Sequence, residues 1–246
     1  MLRKLKKRIN EKKFEQLVPT LKLSAPPVVD YHKIKQVNHL KKQAYTLEMQ
    51  DLVDRDTFCD SLKSVEVNYA NSSNATQLVA STNFGHFINR IMPSDNEKYV
   101  FHNALKDDKA KVSIPNLIPI PRFINKKKIE DLRISRLYAG GKYSGTNLHI
   151  HSCALNYLVS GTKLWIMFPN NEKNNSFVDR HKMRYGDIKE SALSWFLKSH
   201  HLINRDSIDQ LYLFKQNEKE VVYVPAGWHH AVINLNDSIG ITYSWV

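Results

Sequence analysis

Cysteine is scarce in this 246-residue chain, which contains only Cys59 and Cys153. The two lie far apart and in no paired spacing, which argues against a disulfide scaffold and fits a reducing compartment. Long apolar runs are also missing. No stretch approaches the roughly eighteen apolar residues of a membrane span, and the start of the chain lacks the apolar core of a signal peptide. We therefore expect no membrane span, and a cytoplasmic or nuclear location.

Acidic residues are outnumbered, with 24 Asp and Glu against 36 Lys and Arg and a net charge of +12. The bases are concentrated partly in residues 1–17 and in Lys126–Lys128. An apolar stripe at loose helical spacing runs through the first of these segments: Leu2, Leu5, Ile9 and Phe14. The segment is either a basic helix that contacts RNA or another anionic surface, or a solvated helix docked on the rest of the protein. Few aromatics accompany the bases, which favours the docked helix and leaves RNA open as a partner.

Two segments far apart in the chain carry histidines that could share one metal ion. In the first, His149 and His151 are separated by one residue, so on a β-strand both side chains point the same way. In the second, an apolar run ends at the turn signal Pro225–Gly227, and another run begins after His229 and His230. Alternation places those two histidines on opposite faces, and we expect only His230 to be a ligand. Three imidazoles from two strands predict a metal site with open positions for other ligands.

Around these histidines lies a longer ordered set of residues: Thr146, His149, Asn156, Gly161, Lys163, Trp165, Pro225, Gly227, Trp228, His230, Asn234 and Thr242. With this set the sequence resembles the JmjC (Jumonji C) family of iron- and 2-oxoglutarate-dependent oxygenases, over roughly residues 95 to 246. The resemblance implies an all-β core with added helices, built as a double-stranded β-helix, which is a cupin-like jelly roll. Residues 95–246 would form this barrel. Residues 1–94 would supply an N-terminal basic helix, a connector and supporting elements packed on it, as one structural domain overall.

The strand and helix patterns suit the same fold. Apolar alternation predicts strands at 132–138, 147–151, 155–159 and 163–168, and strands again from residue 221 to the end. A polar segment after Pro169 leads to a predicted helix near 188–199, whose apolar residues form one stripe. This order is that of a jelly roll whose wide mouth holds the ligands.

The resemblance also implies the cofactors, Fe(II) and 2-oxoglutarate. His149 and His230 would bind the metal together with His151, and Lys163 would meet the distal carboxylate of 2-oxoglutarate. A buried ammonium needs an anionic partner, although a barrel lysine that stays in solvent is the plain alternative. The remaining residues that we assign to the cofactor are Thr146, Asn156, Asn234 and Thr242.

One position departs from the family pattern, because His151 stands where most active members have Asp or Glu. Without the carboxylate the ion keeps its full double charge, and three imidazoles suit Zn, Ni or Cu as well as Fe(II). A subgroup of the family has the same His-x-His. The function that follows is a 2-oxoglutarate-dependent oxygenase, a protein hydroxylase or a modifier of an RNA base. The alternative is a catalytically inactive binding module that retains the three-histidine pocket.

Other interpretations of the pocket residues are weaker. A three-histidine iron dioxygenase that does not use 2-oxoglutarate is disfavoured by Lys163 and Thr242, which would have no dicarboxylate to hold. Cys153 is either a thiolate ligand or, more in keeping with a strand cysteine, a small buried hydrophobe. Tyr138 could reach the cofactor, but a strand tyrosine is structural by default. For partners, we expect a protein substrate or an acidic protein.

Overall fold

The structure, a computed structural model, describes residues 2–30, 43–49, 51–71, 74–103, 108–118, 134–183, 190–203 and 206–245. The strands within these ranges are β1 Val28–Asp30, β2 Tyr45–Glu48, β3 Glu66–Asn71, β4 Asn74–Asn83, β5 Lys98–Asn103, β6 Ile134–Gly140, β7 Gly145–His149, β8 Cys153–Ser160, β9 Thr162–Phe168, β10 Tyr212–Asn217, β11 Glu220–Val224, β12 His229–Asn234 and β13 Ser238–Trp245. The longer helices are Leu2–Leu17, Arg55–Leu62, Asp108–Leu117, Glu172–Arg180 and Ala192–Ser199. Short helical segments span Val18–Thr20, Phe84–His86, Phe87–Ile91 and Met92–Ser94.

The strands form two sheets that face each other. The larger sheet has the order β1-β2-β11-β8-β13-β6-β5-β3-β4, and the smaller has the order β10-β9-β12-β7. From β6 to β13 the chain passes back and forth between the sheets, and every pair among these eight strands is antiparallel. This connectivity is that of a double-stranded β-helix, so the predicted jelly roll with added helices is confirmed.

Apolar side chains form three separate packing layers. The outer face of the larger sheet packs against the Arg55–Leu62 and Asp108–Leu117 helices. The outer face of the smaller sheet packs against the Glu172–Arg180 and Ala192–Ser199 helices. The third layer lies between the sheets, where Trp165 and Phe214 from the smaller sheet meet Val222 and Val224 from β11. Because helices cover both outer faces, the interior is left as the place for a ligand.

The basic N-terminal segment is a helix docked on the barrel, in agreement with the simpler sequence interpretation. Phe14 is 1% exposed, and its ring meets Tyr143 and Phe196 edge to face. Glu15 accepts hydrogen bonds from Lys142, at 2.8 Å, and from the Tyr143 hydroxyl, at 2.5 Å. None of the helices in the described ranges is long and apolar enough to cross a membrane. The second basic cluster, Lys126–Lys128, lies outside the described residues.

Several element boundaries differ from the sequence predictions. The predicted helix near 188–199 begins at Ala192, with Ser191 as its N-cap, and residues 184–189 lie outside the described ranges. Strand β10, which the sequence analysis did not predict, is the edge strand of the smaller sheet. Strands β3 and β5 are hydrogen-bonded to each other, so the larger sheet runs across the proposed division between 1–94 and 95–246. That division stays a prediction.

Candidate metal centre

Inward-facing residues form successive rows across each sheet, because alternate side chains along a strand share a face. Across the larger sheet the rows are Leu158–Gly240–Tyr138, then Asn156–Thr242–Arg136, then Ala154–Ser244. Across the smaller sheet they are Gln216–Lys163–Asn234, then Phe214–Trp165–Val232, then Tyr212–Met167–His230. We call these the base, middle and mouth rows. The base row of the smaller sheet is almost fully buried, whereas His149 and His151 beside the mouth row are partly exposed.

A β-bulge in β7 brings two site residues to the same face. His149 pairs with His230, and Thr146 pairs with Val232, so two residues of β7 lie opposite the single residue Ala231. Thr146 and His149 are three residues apart and would face opposite sides of a regular strand; the extra residue turns both inward. Leu148, inside the bulge, packs on the outer layer instead. The bulge therefore accounts for a spacing that simple alternation does not explain.

The three predicted ligands converge. The ring centres of His149 and His230 are 4.1 Å apart, those of His151 and His230 4.5 Å, and those of His149 and His151 5.5 Å. One nitrogen from each ring lies within 4.8 Å of the others. This spacing suits three ligands of one transition-metal ion, and the donor set of three imidazoles fits Fe(II) or Zn(II).

Backbone carbonyls fix which nitrogen of each ring is available to bind a metal ion. The Nδ1 atom lies 2.7 Å from Asn147 O in His149, 2.5 Å from Ser152 O in His151, and 2.9 Å from Trp228 O in His230. A carbonyl can only accept, so each Nδ1 carries the proton and donates it. Each Nε2 then keeps a free lone pair, which is the arrangement that metal-binding histidines use.

The electrostatics of the cluster also favour neutral imidazoles. Burial, with a smaller contribution from His151, lowers the pKa of His149 to about 4. Burial likewise lowers the pKa of His230 well below its usual range, and that of His151 to a lesser extent. Only a neutral imidazole binds a metal, so these rings are ready as ligands at neutral pH.

His151 reaches the centre from outside the regular strand. Strand β7 ends at His149, and the sequence analysis had placed both histidines on one strand. The carbonyl of His151 accepts a hydrogen bond of 2.8 Å from the Gly227 backbone N–H, in the Pro-Ala-Gly corner before His230. This contact holds His151 to the corner that leads into β12, the strand of His230.

Lys163 lies in the base row, two rows below His230, and is 2% exposed. Its Nζ lies 3.5 Å from the centre of the Tyr138 ring on the opposite sheet. Among the described residues no carboxylate lies within ion-pair distance of it, and burial lowers the Lys163 pKa well below its ordinary range. Because a buried ammonium without an anionic partner is costly, this position fits a carboxylate-bearing ligand such as 2-oxoglutarate.

Tyr138, Asn156 and Thr242, from the base and middle rows of the larger sheet, form one hydrogen-bonded network. Asn156 Nδ2 donates to Thr242 Oγ1 at 2.9 Å, and the Tyr138 hydroxyl lies 2.9 Å from Asn156 Oδ1 and 2.5 Å from Tyr157 O. Tyr138 thus adjoins both Lys163 and the Asn156–Thr242 pair, which gives it a place in the pocket wall that its strand pattern alone did not indicate.

Asn234 has a different environment from the other predicted cofactor residues. Its Nδ2 donates to Gly140 O at 3.1 Å and to Ser144 Oγ at 3.0 Å, which ties β12 to the turn between β6 and β7. Its Oδ1 has no hydrogen-bond partner among the described residues. These contacts stabilise the barrel end, and the cofactor role of Asn234 stays a prediction.

Two candidates of the sequence analysis lie outside the metal cluster. His229 faces the outer layer, as alternation predicts, where its Nε2 lies 2.7 Å from Asn175 Oδ1 and its ring packs on Phe168. Cys153 packs on the outer layer of the larger sheet, and its Sγ accepts a 3.6 Å contact from the Tyr223 hydroxyl. The structure therefore brings neither of them to the cluster of His149, His151 and His230.

Two residues of the pocket wall were missed from the sequence. Tyr99, on β5, is 5% exposed and packs with Tyr138 and Leu158 beside the base row. Arg136 belongs to the middle row, next to Thr242. The alternation of β6, in which Arg136 and Tyr138 share a face, was the available signal for Arg136. Tyr99 had none, because its strand lies outside the barrel proper.

Comparison with known proteins agrees with this geometry. Residues 136–245 match the family model described as JmjC domain, hydroxylase. The chain is 34% identical over 122 residues to the human 2-oxoglutarate and iron-dependent oxygenase JMJD4. The aligned region covers 48% of this chain and 28% of that protein. It is 30% identical over 118 residues to the Arabidopsis thaliana arginine-specific demethylase JMJ20, covering 45% of this chain and 23% of that protein.

A third relative is the Caenorhabditis briggsae bifunctional arginine demethylase and lysyl-hydroxylase psr-1, which is 27% identical over 112 residues, 43% of this chain and 28% of that protein. The match thus spans about a quarter of the length of each of these relatives. Within this chain the family match includes His149, His151, Lys163 and His230. Residues 136–245, which are less than half of the chain, are thus similar to the JmjC domain, in agreement with the resemblance seen in the sequence.

Proposed function

We propose that this protein is an Fe(II)- and 2-oxoglutarate-dependent oxygenase that hydroxylates a protein side chain. One observation carries the proposal: three neutral imidazoles converge at the mouth of the barrel, above a buried lysine that has no anionic partner among the described residues. The metal would be held by His149, His151 and His230, and the distal carboxylate of 2-oxoglutarate by Lys163. Asn156, Thr242 and Thr146 would line the path between them.

The chemistry that Fe(II) with 2-oxoglutarate supplies is insertion of one oxygen atom of O2 into a C–H bond, coupled to formation of succinate and CO2. The residues of this chain provide position and a dry site. The backbone carbonyls at Nδ1 orient the three imidazoles, and Lys163 anchors the cosubstrate from below. Trp165 stacks on His230, with ring centres 6.1 Å apart, and keeps water from the inner side of the cluster.

A protein substrate is favoured by the relatives. The names of the Arabidopsis and Caenorhabditis proteins record arginine and lysine as the residues that they modify. An RNA partner, which the basic N-terminus left open, has no support in those names, and the basic helix is docked on the barrel through Phe14. The cytoplasmic or nuclear location stays a prediction.

The test is cosubstrate turnover by the purified chain. The protein is incubated with Fe(II), ascorbate, 2-oxoglutarate and a pool of lysine- and arginine-containing peptides, and succinate is measured alongside a gain of one oxygen atom in the peptides. We expect succinate well above the level of a His149→Ala variant. Equal succinate from both proteins, with metal bound to the wild type, would contradict the proposal.

His151 favours a second candidate, a binding module that retains the metal pocket without turnover. With no carboxylate among the three ligands, the ion keeps its full charge and the usual iron-oxygenase ligand set is not reproduced. A His151→Asp variant separates the two functions. A silent wild type whose His151→Asp variant produces succinate supports the binding module, whereas an active wild type supports the oxygenase.

A further inference from the structure

Arg136 places a positive charge on the inner wall of the barrel at a point that the proposed chemistry does not use. It pairs across the larger sheet with Thr242, whose side chain points inward to Asn156. Paired residues on antiparallel strands point to the same side, so Arg136 also faces the interior. It lies one row closer to the mouth than Tyr138, on the side where His151 enters the site.

The described contacts of Arg136 cover the flat face of its guanidinium group but leave its N–H groups without a partner. Its Cζ atom lies 4.5 Å from the centre of the Phe101 ring, and burial lowers its pKa. Among the described residues its side chain has no carboxylate partner. A guanidinium has five N–H donors arranged for bidentate binding, and a ring beneath it uses none of them. The unused N–H donors of Arg136 are therefore available to bind a carboxylate, in an arrangement that we call a carboxylate clamp.

Among the described residues of the surrounding wall, no carboxylate is available to pair with Arg136. None of the residues in the base, middle and mouth rows is Asp or Glu. Lys163 occupies the base row, where it serves the cosubstrate. A second anion at the level of Arg136 would find complementary charge and would also offset the charge of a metal that lacks a carboxylate ligand.

The position of Phe101 indicates which molecule supplies that anion. Phe101 lies on β5, outside the eight strands of the barrel, and is 39% exposed. Arg136 and Phe101 together form a surface that extends from the metal pocket to solvent, with an apolar ring beside a cation. A peptide lying across the mouth would contact both, whereas a cosubstrate held at Lys163 lies deeper.

We infer that Arg136 binds the carboxylate of an acidic side chain on the substrate, so that the substrate class is a protein segment with Asp or Glu beside the residue that reacts. This inference rests on the proposed function for the identity of the site. It makes Arg136 a specificity-determining residue and Phe101 its support.

The experiment measures peptide binding separately from turnover. Three fluorescein-labelled peptide pools share a central lysine or arginine and differ in the residues beside it. The acidic pool has Asp or Glu there, the amide pool has Asn or Gln, and the basic pool has Lys. Their affinities for the Zn(II)-loaded protein with 2-oxoglutarate are measured by fluorescence polarisation. We expect the acidic pool to bind the wild type about tenfold tighter than the amide pool, since a charged pair at a partly buried site is worth about that much.

Three variants test the residue. Arg136→Gln should abolish the preference, and Arg136→Lys should retain part of it, because a lysine keeps the charge but not the bidentate geometry. Arg90→Gln, which removes an exposed arginine elsewhere, is the matched control for the net charge of +12 and should keep the full preference. The 2-oxoglutarate affinity, followed by tryptophan fluorescence, should stay within about twofold in all of them, in line with a site above the cosubstrate.

The results that overturn the inference are distinct from those that overturn the oxygenase. An Arg136→Gln variant that keeps its preference, a wild type that does not distinguish the pools, or a parallel loss of 2-oxoglutarate binding would each reject an acidic-substrate clamp. An Arg136-dependent preference in a protein that forms no succinate would instead uphold the clamp and reject the oxygenase.

Discussion

The ammonium group of Lys163 lies 3.5 Å from the centre of the Tyr138 ring, and the two residues come from opposite sheets of the barrel. The ring face offers the cation a partial partner, worth on the order of 1–2 kcal/mol in a desolvated position. A carboxylate would offer considerably more. The contact therefore keeps Lys163 in place at the base of the pocket while leaving its N–H donors available for a dicarboxylate.

Replacing Lys163 with methionine should have opposite effects on stability and on ligand binding. Methionine has a similar length and removes a buried ammonium, so the unfolding free energy of the ligand-free protein should rise by about 1 kcal/mol at neutral pH. Because burial lowers the pKa of Lys163 from 10.5, the unfolded chain binds more protons below that pH, and the gain should shrink as pH approaches 10.5. Urea unfolding of both proteins at several pH values measures this difference in unfolding free energy.

The same variant should no longer respond to 2-oxoglutarate. A ligand that binds only the native state stabilises it in proportion to the logarithm of its concentration over Kd, so the metal-loaded wild type should gain stability in excess 2-oxoglutarate. Lys163→Met should gain nothing, whereas Lys215→Met, at an exposed position of the neighbouring strand, should behave as the wild type. A Lys163→Met protein that still responds would place the distal carboxylate elsewhere.

The adjacent histidines at the start of β12 should differ in their effect on the metal. His230→Ala removes one of the three proposed ligands and should leave little bound metal after dialysis, as measured by inductively coupled plasma mass spectrometry. His229→Asn removes a buried ring from the outer layer, so it should lower the thermal midpoint while the metal content stays near that of the wild type. Equal metal loss in both would contradict the assignment of faces.

Acid should destabilise the metal-free protein through the histidine cluster. His149 has a pKa of about 4 in the folded chain against an ordinary value of 6.5, so between these limits the unfolded chain binds more protons. The unfolding free energy should therefore fall as pH drops below about 6.5, by up to about 1.4 kcal/mol per pH unit for each such group, and should not change above it. With a chelator present, His149→Gln should reduce the dependence of the unfolding free energy on pH, and His201→Gln, at an exposed position, should not.

Gly240→Ala should damage the base row and spare the metal. A Cβ at this position would lie 2.1 Å from Tyr157 O and 2.2 Å from the Tyr138 hydroxyl oxygen, so the ring over Lys163 must move. We expect a loss of stability of about 1–3 kcal/mol and weaker 2-oxoglutarate binding, with metal content unchanged. Ile241→Val, on the opposite face of the same strand, is the control. It should cost about 1 kcal/mol of stability and leave 2-oxoglutarate affinity intact, as calorimetric titration would show.

The site was easiest to predict where the two-residue alternation of a strand gives the correct face of the folded sheet. The alternation of β12 separates His230 from His229, and the structure confirms that separation. The bulge in β7 was harder, because a two-residue period alone places Thr146 and His149 on opposite faces. Only the match to a family pattern indicated that both belong to one site.

The remaining differences have a common physical cause, which is that neighbours across a sheet are distant in the chain. Strand β10 is short and its last three residues are all polar, so it has no clear two-residue period, and its place is set by pairing with β9. Tyr99 reaches the pocket because β5 joins β6 edge to edge. Arg136 becomes notable only when Phe101 is placed beneath it. No local pattern contains such pairings, since they depend on which strands become neighbours.

The depth of Lys163 beneath the histidine rows has a kinetic consequence. Among the described residues, the buried side chains of Gln216 and Asn234 flank Lys163 at the base of the barrel, so a molecule bound at Lys163 would enter and leave past the three histidines. Anything lying across the mouth would then block both directions, so under the proposed function the dicarboxylate should enter first and its product should leave last. Substrate supplied too early would act as a plug, and excess peptide should slow turnover when 2-oxoglutarate is scarce.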